Sequence, residues 1–154
     1  MKRPASRLTL FGAVALLAAV SAAAASPTRV AAQEPLGEVL SAIADHWEEG
    51  DARAIGSYVS RRGTRLEVGG MATGGLDGRK LVGALRRIFD DRVTVSVVSN
   101  MSRAVQGAED RAFGELVWRV RRQGATVPET SVVFLALVRE RAGWRLTQIR
   151  VLDR

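Results

Sequence analysis

Two stretches near the middle of the chain carry apolar residues at the spacing of an amphipathic helix. The first runs from Leu36 to Glu49, and its apolar positions form one stripe at i, i+3, i+4, i+7, i+8 and i+11. Gly50 ends this helix, and Asp51 is placed to cap a short second one. The other long stretch covers residues 78–91 and has Asp77 as its N-cap. The pattern therefore predicts three helices.

The second half of the chain has the composition of β-strands, with Val, Leu, Phe, Trp and Thr in long runs and Gly in the connections. A short strand, Thr64–Val68, precedes a glycine-rich hairpin at residues 69–75. Twelve extended residues would span about 40 Å at ~3.3 Å each, so the long strands must curl, with a bulge. We expect an α+β fold in which N-terminal helices pack on a strongly curved antiparallel sheet of four long strands. These strands are Val93–Met101, Arg111–Arg122, Thr130–Arg139 and Trp144–Leu152.

The first 32 residues have the layout of a secretory signal peptide. Lys2, Arg3 and Arg7 precede an uncharged apolar run of about 13 residues, which is shorter than the ~20 that a spanning helix needs. Small residues follow, and cleavage is expected after Ala25 or Ala32. The protein is then exported, to the periplasm or the exterior, and it meets the membrane only through this segment before cleavage. An uncleaved N-terminal anchor is the alternative.

Charge and cysteine content exclude several functions. The formal net charge is +7, but four of the 23 basic residues and none of the 16 acidic ones lie in the first 32 residues. The rest of the chain, which contains the single domain at residues 36–154, then has 19 basic and 16 acidic residues and a net charge of +3. Most of the positive excess leaves with the signal, and an exported protein rarely meets nucleic acid, so we expect no nucleic-acid partner. The chain has no cysteine, which rules out disulfides, thiolate-bound metals and thiol catalysis. We expect no cofactor.

The order of helices and strands, together with three local segments, resembles the nuclear transport factor 2-like superfamily, whose cone-shaped, cystatin-like fold is shared with ketosteroid isomerases and polyketide cyclases. Residues 47–55 look like the break between its first two helices, and residues 143–151 look like its last strand. Residues 85–89, before the first long strand, look closest to a group of exported bacterial domains of unknown function. The resemblance covers residue 36 to the C-terminus. It implies a fold, not a function, because the superfamily includes enzymes, transport factors and accessory domains.

Enzymes of the resembled superfamily place an Asp or His base and a Tyr or Asp donor inside the cone. The candidates here are Tyr58, Glu115 and His46. Each has a structural alternative: a core tyrosine bonded to a backbone carbonyl, an outer-face glutamate paired with arginine, and a histidine on a solvated helix edge. His46 and Glu49 supply two potential metal ligands, which is too few to predict a metal site.

A ligand pocket and a dimer interface are also expected from the pattern. The candidates for lining a pocket inside the cone are Trp47, Tyr58, Phe89, Trp118 and Gln148. The strand at residues 130–139 is apolar on both faces, so one face must cover the helices and the other must be hidden too. The sequence therefore predicts a homodimer through the outer sheet face, here assigned to Val133, Leu135 and Leu137.

The leading hypothesis is an exported non-enzymatic domain that binds a small apolar ligand or a protein partner. One alternative is an isomerase- or cyclase-like enzyme that uses Tyr58 with Glu115 or His46. Another is a structural assembly module whose cone is filled by Trp47, Trp118 and Phe89.

Overall fold

The computed structural model describes residues 35–105 and 107–154. The signal peptide and both cleavage positions predicted from the sequence lie outside these ranges. Within them, no helix is both long and apolar enough to cross a membrane. The helices and strands are α1 (Leu36–Glu49), α2 (Ala52–Gly56), α3 (Gly78–Asp90), β1 (Thr64–Val68), β2 (Met71–Leu76), β3 (Arg92–Val105), β4 (Ala108–Arg122), β5 (Glu129–Glu140) and β6 (Gly143–Asp153).

The helices begin and end where the sequence signals place them. Gly50 closes α1 in the left-handed conformation, with φ of 70°. The Asp51 carboxylate accepts a hydrogen bond from the Ala54 N–H at 2.9 Å, and Asp77 accepts one from the Lys80 N–H at 2.9 Å. Each side chain thus satisfies an N–H group at a helix start that has no partner within the helix.

The sheet has six strands in the order β2-β1-β6-β5-β4-β3, and it is mixed. The four predicted long strands are present and antiparallel to one another, but the prediction was wrong in the total number of strands and in treating the sheet as purely antiparallel. β1 pairs with β6 in parallel, whereas the other neighbours are antiparallel. β2 was missed because it includes Gly74 and Gly75 and is exposed along most of its length, so it shows no alternation of apolar and polar residues.

The long strands are curved, as predicted, and they contain bulges. The register of β3 on β4 shifts between Thr94 and Ser96 and again between Ser99 and Met101. The register of β5 on β6 shifts between Ala136 and Leu137. An extra residue on one strand bends it and increases its twist, which lets the sheet wrap around the helices.

Each long strand presents one face to the helices, here called the inner face, and one away from them, the outer face. Val133, Leu135 and Leu137 are at most 2% exposed and belong to the core, so they lie on the inner face and not on the outer face predicted for them. Phe134, which alternates with them, is 38% exposed. The assignment failed because β5 is apolar on both faces, so its alternation does not tell one face from the other.

Gly114 allows α1 to approach the inner face of β4. A Cβ atom at this position would lie 2.5 Å from Cδ2 of Leu40, and the other atoms of that side chain are also close. Leu40 is only 1% exposed, so it has little room to move. The absence of a side chain at residue 114 therefore sets the distance between helix and sheet.

We expect Gly114→Ala to lower the free energy of unfolding by about 1–3 kcal/mol, because the added methyl group overpacks this contact. Leu40→Ala should be destabilising by itself, but it should reduce the cost of Gly114→Ala in the double variant. Gly83→Ala is the control, since a Cβ there meets nothing within 4 Å. It should stabilise α3 by about 0.5–1 kcal/mol. Urea denaturation measures all four variants; equal costs for Gly114→Ala in both backgrounds would contradict the contact.

Asp153 joins the end of β6 to three other strands. Its Oδ1 accepts hydrogen bonds from Ser131 Oγ at 2.8 Å and from Arg92 Nη1 at 3.2 Å, while Arg122 Nη2 lies 3.9 Å from Oδ2. Partial burial raises the pKa of Asp153, but the Ser131 hydrogen bond and the two guanidinium charges outweigh it. The pKa is therefore held below its ordinary value of 3.8.

A carboxylate whose pKa is lowered by folding stabilises the protein above its unfolded-state pKa and loses that contribution as the pH falls through the folded-state pKa. Asp153→Asn should therefore be less stable than the unchanged protein near neutral pH. The difference should shrink as the pH drops below 3.8. Thermal unfolding at neutral and acidic pH measures it, with the exposed Asp45→Asn as control. A difference that stays constant with pH would show that the Asp153 charge contributes nothing.

Candidate functional site

Three aromatic rings occupy the space between the helices and the inner face of the sheet. Trp47 of α1 and Trp118 of β4 are both 0% exposed, and Phe89 of α3 completes the group. The ring centroids of Trp47 lie 5.3 Å from Phe89 and 5.6 Å from Trp118, and those of Phe89 and Trp118 lie 6.3 Å apart. All three pairs pack edge to face, the arrangement that aromatic quadrupoles favour. These rings, the aromatic cluster, fill the region where a ligand pocket was expected.

Of the two indole N–H groups of the cluster, one is hydrogen-bonded and the other is not. Trp118 Nε1 donates a hydrogen bond to Thr94 Oγ1 at 3.1 Å, and the Arg92 guanidinium lies 5.4 Å from the centroid of the Trp118 ring system. Trp47 Nε1 is buried and has no hydrogen-bond partner among the described residues. A buried donor without a hydrogen bond destabilises the folded protein, and here this loss occurs within a densely packed aromatic contact.

The structure brings Tyr58 and His46 near each other but leaves Glu115 apart. The rings of His46 and Tyr58 have centroids 6.5 Å apart, and both residues are partly buried at the edge of the core. His46 Nδ1 lies 4.0 Å from Glu49 Oε2, too far for a hydrogen bond. Glu115 alternates with the inward-facing Leu116, so it lies on the opposite side of the sheet. A base and a donor drawn from Glu115 and Tyr58 therefore do not face one common space.

Glu115 is buried, as the strand pattern indicated, but it lies on the outer face of the sheet. It is 9% exposed, and its Oε1 accepts a hydrogen bond from Asn100 Nδ2 at 2.8 Å. Across the sheet it is paired with Phe134 on one side and Met101 on the other. A carboxylate among apolar neighbours strongly favours contact with a cation or further donors.

Gln148 also lies away from the aromatic cluster. It lines a shallow outer-face groove of about 260 Å³ together with Phe113, Phe134, Leu135, Ala136 and Arg150. Trp47, Phe89 and Trp118 are not among its lining residues. The five residues predicted to line one pocket are therefore divided between the core, its edge and the outer face.

Within residues 35–105 and 107–154, no group of three or more His, Asp or Glu side chains is arranged to hold a metal ion. The prediction of no cofactor stays a prediction.

Comparison with solved structures identifies the architecture. A DUF4783 family protein from Bacteroides uniformis matches with a TM-score of 0.63 and 14% identity, over 74% of this chain and 95% of that one. A ketosteroid isomerase-like protein from Erwinia carotovora atroseptica matches with a TM-score of 0.61 and 15% identity, over 77% and 93% of the two chains. A protein with a ketosteroid isomerase-like fold from Catenulispora acidiphila, solved with trimethylamine, matches with a TM-score of 0.59 and 18% identity, over 76% and 85%.

The chain has the nuclear transport factor 2-like fold. The neighbours include bacterial domains of unknown function, as the sequence resemblance implied. No protein-family model matches the sequence, and no curated protein does. At these identities the likeness establishes the fold alone, so the role of the protein must be argued from its own surface.

Four of the large apolar side chains exposed on the outer face of this nuclear transport factor 2-like sheet lie around Glu115. Val98 is 58% exposed, Met101 45%, Phe113 57% and Phe134 38%. The register pairs Val98 with Val117, Met101 with Glu115, and Glu115 with Phe134, which places these side chains on neighbouring strands of one face. We call these four residues the outer patch.

Sequence reasoning missed the outer patch, although it predicted a binding surface on the outer face. One signal was available: in β4 the odd positions carry Phe113 and Val117 between exposed arginines, while the even positions from Ala112 to Val120 carry no polar side chain. Pairing the odd positions of β4 with the even positions of β5 identifies the outer face, but this step needs the register.

Proposed function

We propose that this protein is a non-enzymatic binding domain that acts through the outer face of its sheet, and that its first partner is a second copy of itself. The observation that carries the proposal is the division between the two faces. The space inside the fold is occupied by the aromatic cluster, whereas the outer patch leaves four large apolar side chains in solvent. Exposed apolar patches of this kind mark interaction surfaces.

A second copy is supported by the mixed charges around the outer patch. Glu115 lies in the middle of the patch and, among the residues that the structure describes, accepts a side-chain hydrogen bond only from Asn100. Arg103 is paired with Phe113 across β3 and β4, and it makes no ion pair among the described residues. A two-fold dimer needs a self-complementary surface, and a face that carries both an unpaired cation and a partly satisfied carboxylate meets this condition.

Export is part of the proposal. It is supported by the basic residues, the apolar run and the small residues that precede Ala32. A domain without cysteine suits an oxidising compartment, because no thiol is available for unwanted cross-links.

Phe134→Arg should convert a dimer into a folded monomer, because it places a charge in the centre of the proposed interface. The matched control is Val127→Arg. It adds the same charge at a residue that is 72% exposed, outside β4 and β5, and it should leave the dimer intact. Light scattering coupled to size-exclusion chromatography gives the subunit count, and thermal unfolding verifies that both variants fold.

The protein for this experiment is produced in an exporting host, so its intact mass also shows whether the chain begins after Ala25 or Ala32. A monomeric unchanged protein, or a dimer that survives Phe134→Arg, would remove the proposed pairing. A mass equal to the full-length chain would remove the proposed cleavage.

A further inference from the structure

A second concave region lies at the far end of the outer face, beneath the turn formed by residues 60–63. It is a cleft of about 670 Å³, and its lining includes Arg61, Arg62, Arg111, Phe113, Ala136 and Val138. Pockets for small organic ligands typically enclose ~300–1,000 Å³. We call this region the turn cleft.

Hydrogen bonds within the turn and to β5 and β6 hold the turn that overhangs the cleft in place. The Gly63 N–H donates to the Ser60 carbonyl at 2.9 Å, and Ser60 Oγ donates to the Gly63 carbonyl at 2.8 Å. The Arg61 N–H donates to Oε1 of Glu140, at the end of β5, at 3.0 Å. Gly63 has φ of +84°, which a residue with a side chain rarely adopts. The cleft therefore has a wall of fixed shape.

The charges in the turn cleft are unbalanced toward positive. The guanidinium groups of Arg61, Arg62 and Arg111 form no ion pair within the part of the chain that the structure describes. Two carboxylates, Asp110 and Glu140, also line the cleft, but Glu140 already accepts the Arg61 N–H. The lining thus keeps an excess of one positive charge, and a ligand with a negative group can engage the three guanidinium groups at the cost of passing near two carboxylates.

The floor of the cleft is apolar. Phe113, Ala136 and Val138 share the outer face of β4 and β5, and Leu137 contributes to the lining. The shallow groove next to Phe134 is lined by Phe113 and Ala136 as well, so the two concave regions adjoin. An apolar body held beneath the turn can extend toward that groove.

We propose that the turn cleft binds a small amphipathic anion, meaning a carboxylate or phosphate group on an aliphatic body. The anionic group lies against Arg61, Arg62 and Arg111, and the aliphatic body lies on Phe113, Ala136 and Val138. Guanidinium groups suit such a head because their planar donors match both carboxylate and phosphate oxygens. This site shares Phe113 with the outer patch, but its three cations lie outside that patch.

Calorimetric titration with octanoate and with octyl phosphate tests the site, and inorganic phosphate and octylammonium serve as comparison ligands. We expect both amphipathic anions to bind, more tightly than inorganic phosphate and than octylammonium. Arg111→Gln and the double change Arg61→Gln, Arg62→Gln should each weaken binding about tenfold or more. Arg121→Gln, on β4 but outside the cleft lining, is the matched control and should change the affinity little.

Tighter binding of octanoate assigns a carboxylate head to the natural ligand, and tighter binding of octyl phosphate assigns a phosphate head. The proposal fails if neither anion binds, if octylammonium binds as tightly, or if Arg121→Gln weakens binding as much as Arg111→Gln. Repeating the titration with Phe134→Arg separates the two proposals. If the anions still bind to this variant, the proposed anion site stands even if the protein never forms a dimer.

Discussion

The mutual packing of Trp47, Phe89 and Trp118 is the interaction on which the rest of the structure depends. The three rings come from α1, α3 and β4, so a single cluster joins both long helices to the sheet. Truncating one buried aromatic residue typically costs about 3–5 kcal/mol, a large share of the stability of a small domain. The sequence contains no cysteine, so no disulfide helps to join the helices to the sheet. Gly114 permits the close approach of α1 that brings Trp47 into the cluster.

The same cluster decides which surfaces remain for binding. In this fold the space between helices and sheet is where a catalytic pair or a ligand would be sought, and here that space is taken by aromatic rings. Tyr58 and His46 lie at the edge of the core, and Glu115 lies on the other side of the sheet. The groups that a partner or a ligand can reach are therefore on the outer face. They are the apolar side chains of the outer patch, the Glu115 carboxylate within it and the guanidinium groups of the turn cleft.

Much of the fold was predictable from local signals, whereas most of the candidate surface was not. The stripe on α1, the glycine that ends it and the Asp caps each act over a few residues, so the sequence alone identifies them. Strand β2 lacks such a signal because its glycines and exposed side chains show no alternation. The face of β5 could not be assigned because Val133 and Phe134 are equally apolar, and only their packing against helices or solvent tells them apart. The turn cleft depends on the pairing of β1 with β6, which brings Arg61 beside the distant Glu140.

Hydrogen exchange at the tryptophan indole N–H groups, followed by NMR in D₂O, tests the central claim that the interior is filled. If it is, the N–H groups of Trp47 and Trp118 exchange only when the whole protein unfolds. Their free energies of opening then equal the global free energy of unfolding measured with denaturant. Exchange at Trp47 tests the packing more directly than exchange at Trp118, because the Trp47 N–H is protected by packing and not by a hydrogen bond. Rapid exchange of Trp47 in a protein that remains folded would show that water or a ligand reaches the interior, and would contradict the account.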